Sequence, residues 1–187
     1  MATETLPLTP TARLRAALPL LALAAAVVAL DQASKAWIVA TIGRGQADHT
    51  RDLLPGWLVL LYTENTGAAF GLLRDGSWVL GLIALAVAGG ILIAAPRLQA
   101  AATTGWLGRA LQISLGLVLG GALGNLLDRL TRGFVVDFIR VPVAEITLGT
   151  TVYRFPNFNV ADSAITVGIA LLVLYMLSSG ERAPAHA

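Results

Sequence analysis

The sequence predicts a membrane all-α protein, with four transmembrane helices and, on one membrane face, a small β-structure and a short interfacial helix. Three observations carry this expectation. First, of 187 residues 56% are hydrophobic and only 13% are charged, with a mean hydropathy of +0.74. A soluble domain carries about 25% charge, and a chain this short has too little interior to hide the shortfall. Second, four apolar stretches approach the roughly 20 residues that a helix needs to cross a bilayer. Third, the ionisable residues collect in two long connections that fall on the same side of those stretches.

Composition also excludes several chemistries. The formal net charge is +2 and no basic cluster exists, so no nucleic-acid partner is expected. There is no Cys, which removes disulfides and thiolate chemistry. His49 and His186 are the only histidines and neither sits in a metal-ligand spacing, so no metal and no cofactor are expected.

Residues 1–12 are rich in Thr and Pro without an apolar period and read as a flexible tail, as do 180–187 at the other end. The whole of 1–187 reads as one integral membrane domain, with spans at about 16–38, 77–95, 110–127 and 160–177. Arg13 and Arg15 precede the first apolar run, Ala16 to Leu30. Alone, that run also fits a signal peptide. Its continuation as a helical pattern through Asp31, Lys35 and Trp37, and the three apolar segments that follow, favour a span. Spans must be helices, because unpaired backbone groups in hydrocarbon cost several kcal/mol each. Pro96 is expected to end the second span sharply, and Ser178-Ser179-Gly180 the fourth.

Within the long connections, Gly56 to Tyr62 reads as a strand and Glu145–Phe155 as a hairpin turning near Gly149. Gly67–Arg74 reads as an interfacial helix with Phe70, Leu72 and Leu73 on its apolar face. The short connection and both tails carry Arg13, Arg15, Arg97, Arg109 and Arg182 against Glu4 and Glu181, which places both termini in the cytoplasm and the long connections outside. On the third span Gly116, Gly120 and Gly124 recur at four-residue spacing, a ridge that lets helix backbones approach closely. Packing inside a monomer is the favoured use of that ridge, ahead of dimerisation.

Charges at the ends of apolar spans cost roughly 2.5–3.5 kcal/mol each and need a reason. Asp31 and Lys35, one turn apart, form either a local ion pair that lets the helix end near the headgroups or a contact to substrate. Asn125, Asp128 and Arg129 close the third span directly after the glycine ridge, as an interfacial cap or as part of a site. Asp162 begins the fourth span, where a carboxylate also serves as a helix cap. Asp137, flanked by Val135-Val136 and Phe138-Ile139, has no such structural excuse. The loop Asn65-Thr66-Gly67 carries one amide among small residues and is a weak signal alone.

Two catalytic arrangements are available. In one, Asp137 and Asp162 meet at the membrane face and share one proton, so that one acts as base toward a water and the other as acid toward an amide. In the other, Ser163 is a nucleophile activated by a neutral Lys35, which the neighbouring Asp31 disfavours. The paired carboxylates are preferred. A channel or carrier is disfavoured, since no span carries a charge near its middle and no internal repeat exists.

Five runs, in order, carry a resemblance: Asp31-Gln32-Ala33-Ser34-Lys35, Asn65-Thr66-Gly67-Ala68-Ala69-Phe70, Gly120 to Arg129, Val135-Val136-Asp137-Phe138, and Phe155 to Ser163. Over roughly residues 20–178 the chain resembles the bacterial lipoprotein signal peptidases (signal peptidase II). The resemblance implies a four-span inner-membrane aspartyl endopeptidase with an extracytoplasmic β-cradle and surface helix in the two long connections. It implies removal of the signal peptide from diacylglyceryl-modified prolipoproteins, N-terminal to the lipidated cysteine, and inhibition by globomycin. Asp137 and Asp162 are then the catalytic pair. Asn65, Gly67, Asn125, Arg129 and Asn159 surround it, and Asp31, Lys35 and Asp128 support it. Asp128 remains a second candidate acid, and 140–154 matches no motif of the family.

Overall fold

The computed structural model describes residues 10–44, 50–67, 76–101, 105–142, 146–148, 151–153 and 155–180. In chain order these form α1 (Pro10–Thr41), β1 (Thr50–Leu54), β2 (Leu58–Asn65), α2 (Ser77–Ala101), α3 (Trp106–Arg132), β3 (Val135–Arg140), β4 (Ile146–Leu148), β5 (Thr151–Tyr153) and α4 (Val160–Gly180). Each of the four helices contains a stretch long and apolar enough to cross a membrane.

Each span runs past the expected bounds. Residues 10–12, expected in the tail, already belong to α1. Pro96 does not end α2, which continues to Ala101 with the proline inside it. A proline removes one backbone hydrogen bond and its ring crowds the preceding turn, but an apolar span tolerates this, because lipid offers the freed groups nothing better than the helix does. The helix expected over Gly67–Arg74 falls almost entirely outside the described residues.

The third helix is the centre of the bundle: α1, α2 and α4 all pack along it. Its glycines explain how closely. A Cβ on Gly120 would stand 2.7 Å from Val27 Cβ and 2.8 Å from the Ala24 carbonyl, and one on Gly116 would stand 3.1 Å from the Leu20 carbonyl, so these two seat α1. A Cβ on Gly121 would collide with the Ala161 carbonyl and Ile165, so the adjacent glycine seats α4. From the α4 side Gly168 approaches Ser114, whose hydroxyl donates to the Gly168 carbonyl at 2.7 Å. The ridge therefore serves packing within one chain. Leu20, Ala24, Ala88, Leu111, Leu115 and Leu119 fill the space between the helices, while Leu82, Ile83, Ile93, Val173 and Leu177 point outward as lipid-facing surface.

At the C-terminal ends of α1 and α3 lies an antiparallel sheet of order β1-β2-β3. The expected strand at Gly56 to Tyr62 is displaced: Gly56 and Trp57 form the turn, and β2 runs on to Asn65. Leu60, Val136 and Phe138 press this sheet onto Ile38 in the last turn of α1 and Ile42 just beyond it. Gly133, at φ 80°, ends α3 with its amide on the Arg129 carbonyl, and β3 starts two residues later. The strand thus folds straight back over the helix end. Between Leu60 and Thr63 the β2–β3 register slips by one residue, so that Thr63 faces Asp137 and Asn65 faces Val135. Such a bulge bends a strand and re-aims its side chains. On the other edge of β3, the amides of Phe138 and Ile139 both donate to the Phe158 carbonyl, at 3.0 and 2.8 Å, and the Phe158 amide returns to Ile139 at 3.1 Å. This small bridge brings the start of α4 beside Asp137. The hairpin expected over Glu145–Phe155 is present as β4 paired with β5, Leu148 opposite Thr151.

Candidate active site

The site is built on a buried ionic cluster. Lys35 is fully enclosed, and its ammonium donates to Asp31 at 2.8 Å, Asp128 at 2.9 Å and Asn125 Oδ1 at 3.0 Å. Those three bonds use every donor that a lysine has. Asp128 accepts also from Gln32 Nε2 at 3.2 Å, the Val136 amide at 3.0 Å, and Arg132. Asp31 accepts from Gln32 at 3.1 Å and reaches across to the Ala161 amide of α4 at 3.0 Å. Gly124 makes that reach possible, since a Cβ there would stand 2.7 Å from Asp31 Oδ2. The expected local pair of Asp31 and Lys35 is present, but it is interior and not isolated: with Asp128 it ties α1 to α3, α4 and β3. None of the three lines the cavity described below.

Above this cluster, three asparagines present their amide NH₂ groups to two aspartates. Lys35 holds Asn125 Oδ1, so Asn125 Nδ2 faces the other way and donates to Asp162 Oδ1 at 2.7 Å. Asn159 precedes the first helical residue of α4. Its Oδ1 accepts from the Asp162 amide at 2.9 Å, while Asp162 Oδ2 accepts from the Asn159 amide at 3.1 Å. This reciprocal arrangement is a capping box. The helix-capping role foreseen for Asp162 is thus real, and it leaves Oδ1 of the same carboxylate turned to Asn125. Asn159 Nδ2 donates to Asp137 Oδ1 at 2.7 Å, so one residue orients both aspartates, Asp137 through its side chain and Asp162 through its backbone amide. Asp137 Oδ2 accepts from Asn65 Nδ2 at 2.8 Å, and Asn65 is itself fixed by the Gly67 amide on its Oδ1 at 3.0 Å.

Burial pushes the Asp137 carboxyl up to about 7, and the nearby Asp162 pushes in the same direction. The hydrogen bonds from Asn65 and Asn159 and the charge on Lys35 oppose this without cancelling it. A carboxyl raised into that range suits proton transfer near neutral pH.

Asp137 and Asp162 line one cavity of about 600 Å³, together with Asn65, Gly67, Arg129 and Ser163. Its apolar wall is formed by Leu80 of α2, Phe155, Phe158 and Val167 of α4. Arg129 donates from Nη1 to the Asn125 carbonyl at 3.1 Å, and its Nε is buried without a partner among the described residues. The residues grouped at the end of the third span divide the work: Arg129 lines the cavity, Asn125 bridges Lys35 and Asp162, and Asp128 turns to Lys35. The Ser163–Lys35 arrangement is not assembled. The Ser163 hydroxyl donates to the Asn159 carbonyl at 3.0 Å, and Lys35 is spent on other partners.

Sequence reasoning assigned no role to Gln32, which bonds Asp31, Asp128 and the Gly124 carbonyl, nor to Arg132 on Asp128. Gln32 adjoins Asp31 and lies three residues from Lys35, spacing that would place it on the same helical face. Asn157, which lines the cavity and donates to Thr63 Oγ1 at 3.0 Å, had no distinguishing signal.

Comparison with known proteins gives a consistent result. The sequence model of the family described as signal peptidase (SPase) II matches residues 23–178. The lipoprotein signal peptidase of Pseudomonas aeruginosa is 43% identical over 173 residues, covering 89% of this chain and 94% of its own. That of Symbiobacterium thermophilum is 40% identical over 156 residues, covering 83% and 91%. Two solved structures, both described as bacterial membrane enzymes, superpose with TM-scores of 0.67 and 0.65 at 26% and 28% identity. They cover 90% and 84% of this chain, and 93% and 92% of their own.

The ionic cluster yields a prediction. Lys35→Met leaves two carboxylates buried without their ammonium and is expected to destabilise the fold by about 3–5 kcal/mol. Arg44→Met removes the partner of Glu64 at a site 80% exposed and is expected to cost no more than about 1 kcal/mol. Thermal unfolding in detergent compares the two, and equal losses would contradict the assignment.

Proposed function

The chain belongs to the signal peptidase II family, aspartyl peptidases of the bacterial membrane that cleave signal peptides from prolipoproteins, and on that premise we propose that Asp137 and Asp162 are its catalytic pair. The observation that supports this most is the shared asparagine: Asn159 bonds Asp137 through Nδ2 and the Asp162 amide through Oδ1, beside one cavity. In this reading the pair holds one proton, carried by Asp137 up to about pH 7. Water attacks the scissile carbonyl carbon and gives its proton to Asp162, while the Asp137 proton passes to the carbonyl oxygen. The tetrahedral diol collapses as the amide nitrogen takes the proton from Asp162, the C–N bond breaks, and a diol hydroxyl returns its proton to Asp137, leaving a carboxylic acid and an amine. Each transfer contributes roughly 10²–10⁴-fold.

Arg129, whose Nε has no partner among the described residues, donates to a backbone carbonyl of the substrate. Asn65, Asn125 and Asn159 hold the carboxylates, with Gly67 fixing Asn65. Asp31, Lys35 and Asp128 act from beneath. The substrate is a diacylglyceryl-modified prolipoprotein, cut on the N-terminal side of the lipidated cysteine. Leu80 on α2 and Val167 on α4 flank the cavity, and Val167 is half exposed on the surface that faces lipid. A substrate held in the bilayer by its acyl chains enters between these helices without leaving the membrane. The same cavity is the expected seat of globomycin. The whole chain acts as one peptidase unit and as a monomer, since the glycine ridge is consumed inside the bundle.

Both termini lie in the cytoplasm and the site faces the opposite side of the inner membrane, a reading supported by the arginines of the short connection and the tails. Alkaline phosphatase fused after Ala187 is then expected to be inactive in cells, and an active fusion would reverse the topology.

Purified protein in lipid is expected to cleave a diacylglyceryl precursor and leave the unmodified precursor intact. Asp137→Asn and Asp162→Asn are each expected to lower that rate by at least about 10²–10⁴-fold while the variants keep the helical content and elution volume of the parent. Retained cleavage in either folded variant would remove it from the pair.

A further inference from the structure

The turn that joins β1 to β2 reads Leu53-Leu54-Pro55-Gly56-Trp57, five uncharged residues, and every position from Arg51 to Trp57 is exposed. Leu54 is 58% exposed and Trp57 65%. The turn is tight, with the Trp57 amide on the Leu54 carbonyl at 2.9 Å and Gly56 at φ 77°, so both large side chains sit at one tip. The rest of the sheet behaves otherwise: Leu60, Val136 and Phe138 are buried against α1. No residue of the tip lines the cavity. An apolar cluster of this kind, left in water, would be costly and would mark an interaction site.

The surroundings say what it meets. The guanidinium of Arg51 lies over the Trp37 ring at 5.7 Å, and Trp37 falls within the membrane-crossing stretch Ala16–Thr41. Leu60 packs on Ile38 and Ile42 of the same helix end. The hairpin is therefore clamped against α1 within the span, where the helix also exposes Leu30, Trp37 and Val39. In a protein that spans the bilayer those side chains face lipid, and the apolar tip belongs to the hairpin held beside them through Arg51 and Leu60. Tryptophan concentrates at this depth because its ring suits the headgroup boundary.

We infer that the β1–β2 tip is a lipid anchor, with Leu53, Leu54 and Trp57 inserted into the headgroup–acyl boundary of the leaflet beside the active site and Arg51 at the level of the phosphates. Since β2 also carries Asn65 and pairs with β3 across from Asp137, the anchor fixes the depth of the strands that hold the carboxylate. It does so whichever bond the site cleaves.

The chain contains no Cys, so single cysteines at Leu54, Trp57 and, as a reference at the far end of β1, Thr50 accept nitroxide labels without background. In proteoliposomes of phosphatidylethanolamine and phosphatidylglycerol, electron-spin power saturation compares access of oxygen, which partitions into lipid, with that of a water-soluble nickel chelate. Labels at 54 and 57 are expected to favour oxygen severalfold over the chelate relative to the label at 50. Chelate access at the tip equal to that at Thr50 would overturn the anchor. So would exclusion of both reagents, the signature of a protein partner or a second copy. Two tip positions keep the result decisive if one variant fails to fold.

Discussion

A single ammonium, enclosed in an apolar bundle, sets the terms for the rest of the molecule. Removing a charge from water costs several kcal/mol unless close partners replace the solvent, so Lys35 must be met on every side. It is met by Asp31 on its own helix and by Asp128 and Asn125 on α3. Those carboxylates extend the demand outward, Asp31 through its other oxygen to the first turn of α4 and Asp128 through the same oxygen to the amide of Val136 in β3. The relative positions of α1, α3, α4 and β3 follow from satisfying those acceptors. So does the polarity of Asn125, whose oxygen is drawn to the ammonium and whose NH₂ is thereby directed at Asp162.

The bilayer supplies the second constraint. Apolar attraction between helices is weak in lipid, and close backbone approach takes its place. Gly116, Gly120, Gly121 and Gly124 let α3 touch α1 on one side and α4 on the other, and the last of them clears the path by which Asp31 reaches Ala161. Packing and electrostatics are thus one arrangement. The glycines bring the helices close enough for short polar side chains to bridge them, and the polar site forms where the spans meet the sheet.

Much of this was legible in the chain. Hydropathy placed four spans because lipid demands long apolar helices, and the odd placement of Asp137 among Val136 and Phe138 marked it before any coordinates. Helix ends were read less well. Pro96 stops helices in water, where the freed backbone groups have solvent, and does not stop α2. The strand β1 was missed because Leu53 and Leu54 do not alternate with polar residues, and its tip follows a logic other than half-burial in a core. Asp128 resembled a catalytic acid in sequence, since span ends favour charges for several reasons. Only the fold reveals that Lys35, Gln32, Arg132 and the Val136 amide already occupy it. Two of those partners, Lys35 and Gln32, lie more than 90 positions away in the chain and leave no local trace.

The proposed catalysis requires Asp137 and Asp162 to hold one proton between them near neutral pH, and burial raises Asp137 to about 7. An infrared titration of the carboxylic C=O stretch in proteoliposomes measures this directly. One protonated carboxyl is expected to persist from acid up to about pH 7 in the parent protein, and that band should be absent from Asp137→Asn. A spectrum in which every carboxyl has ionised by about pH 5, near the range of free aspartates, would contradict it.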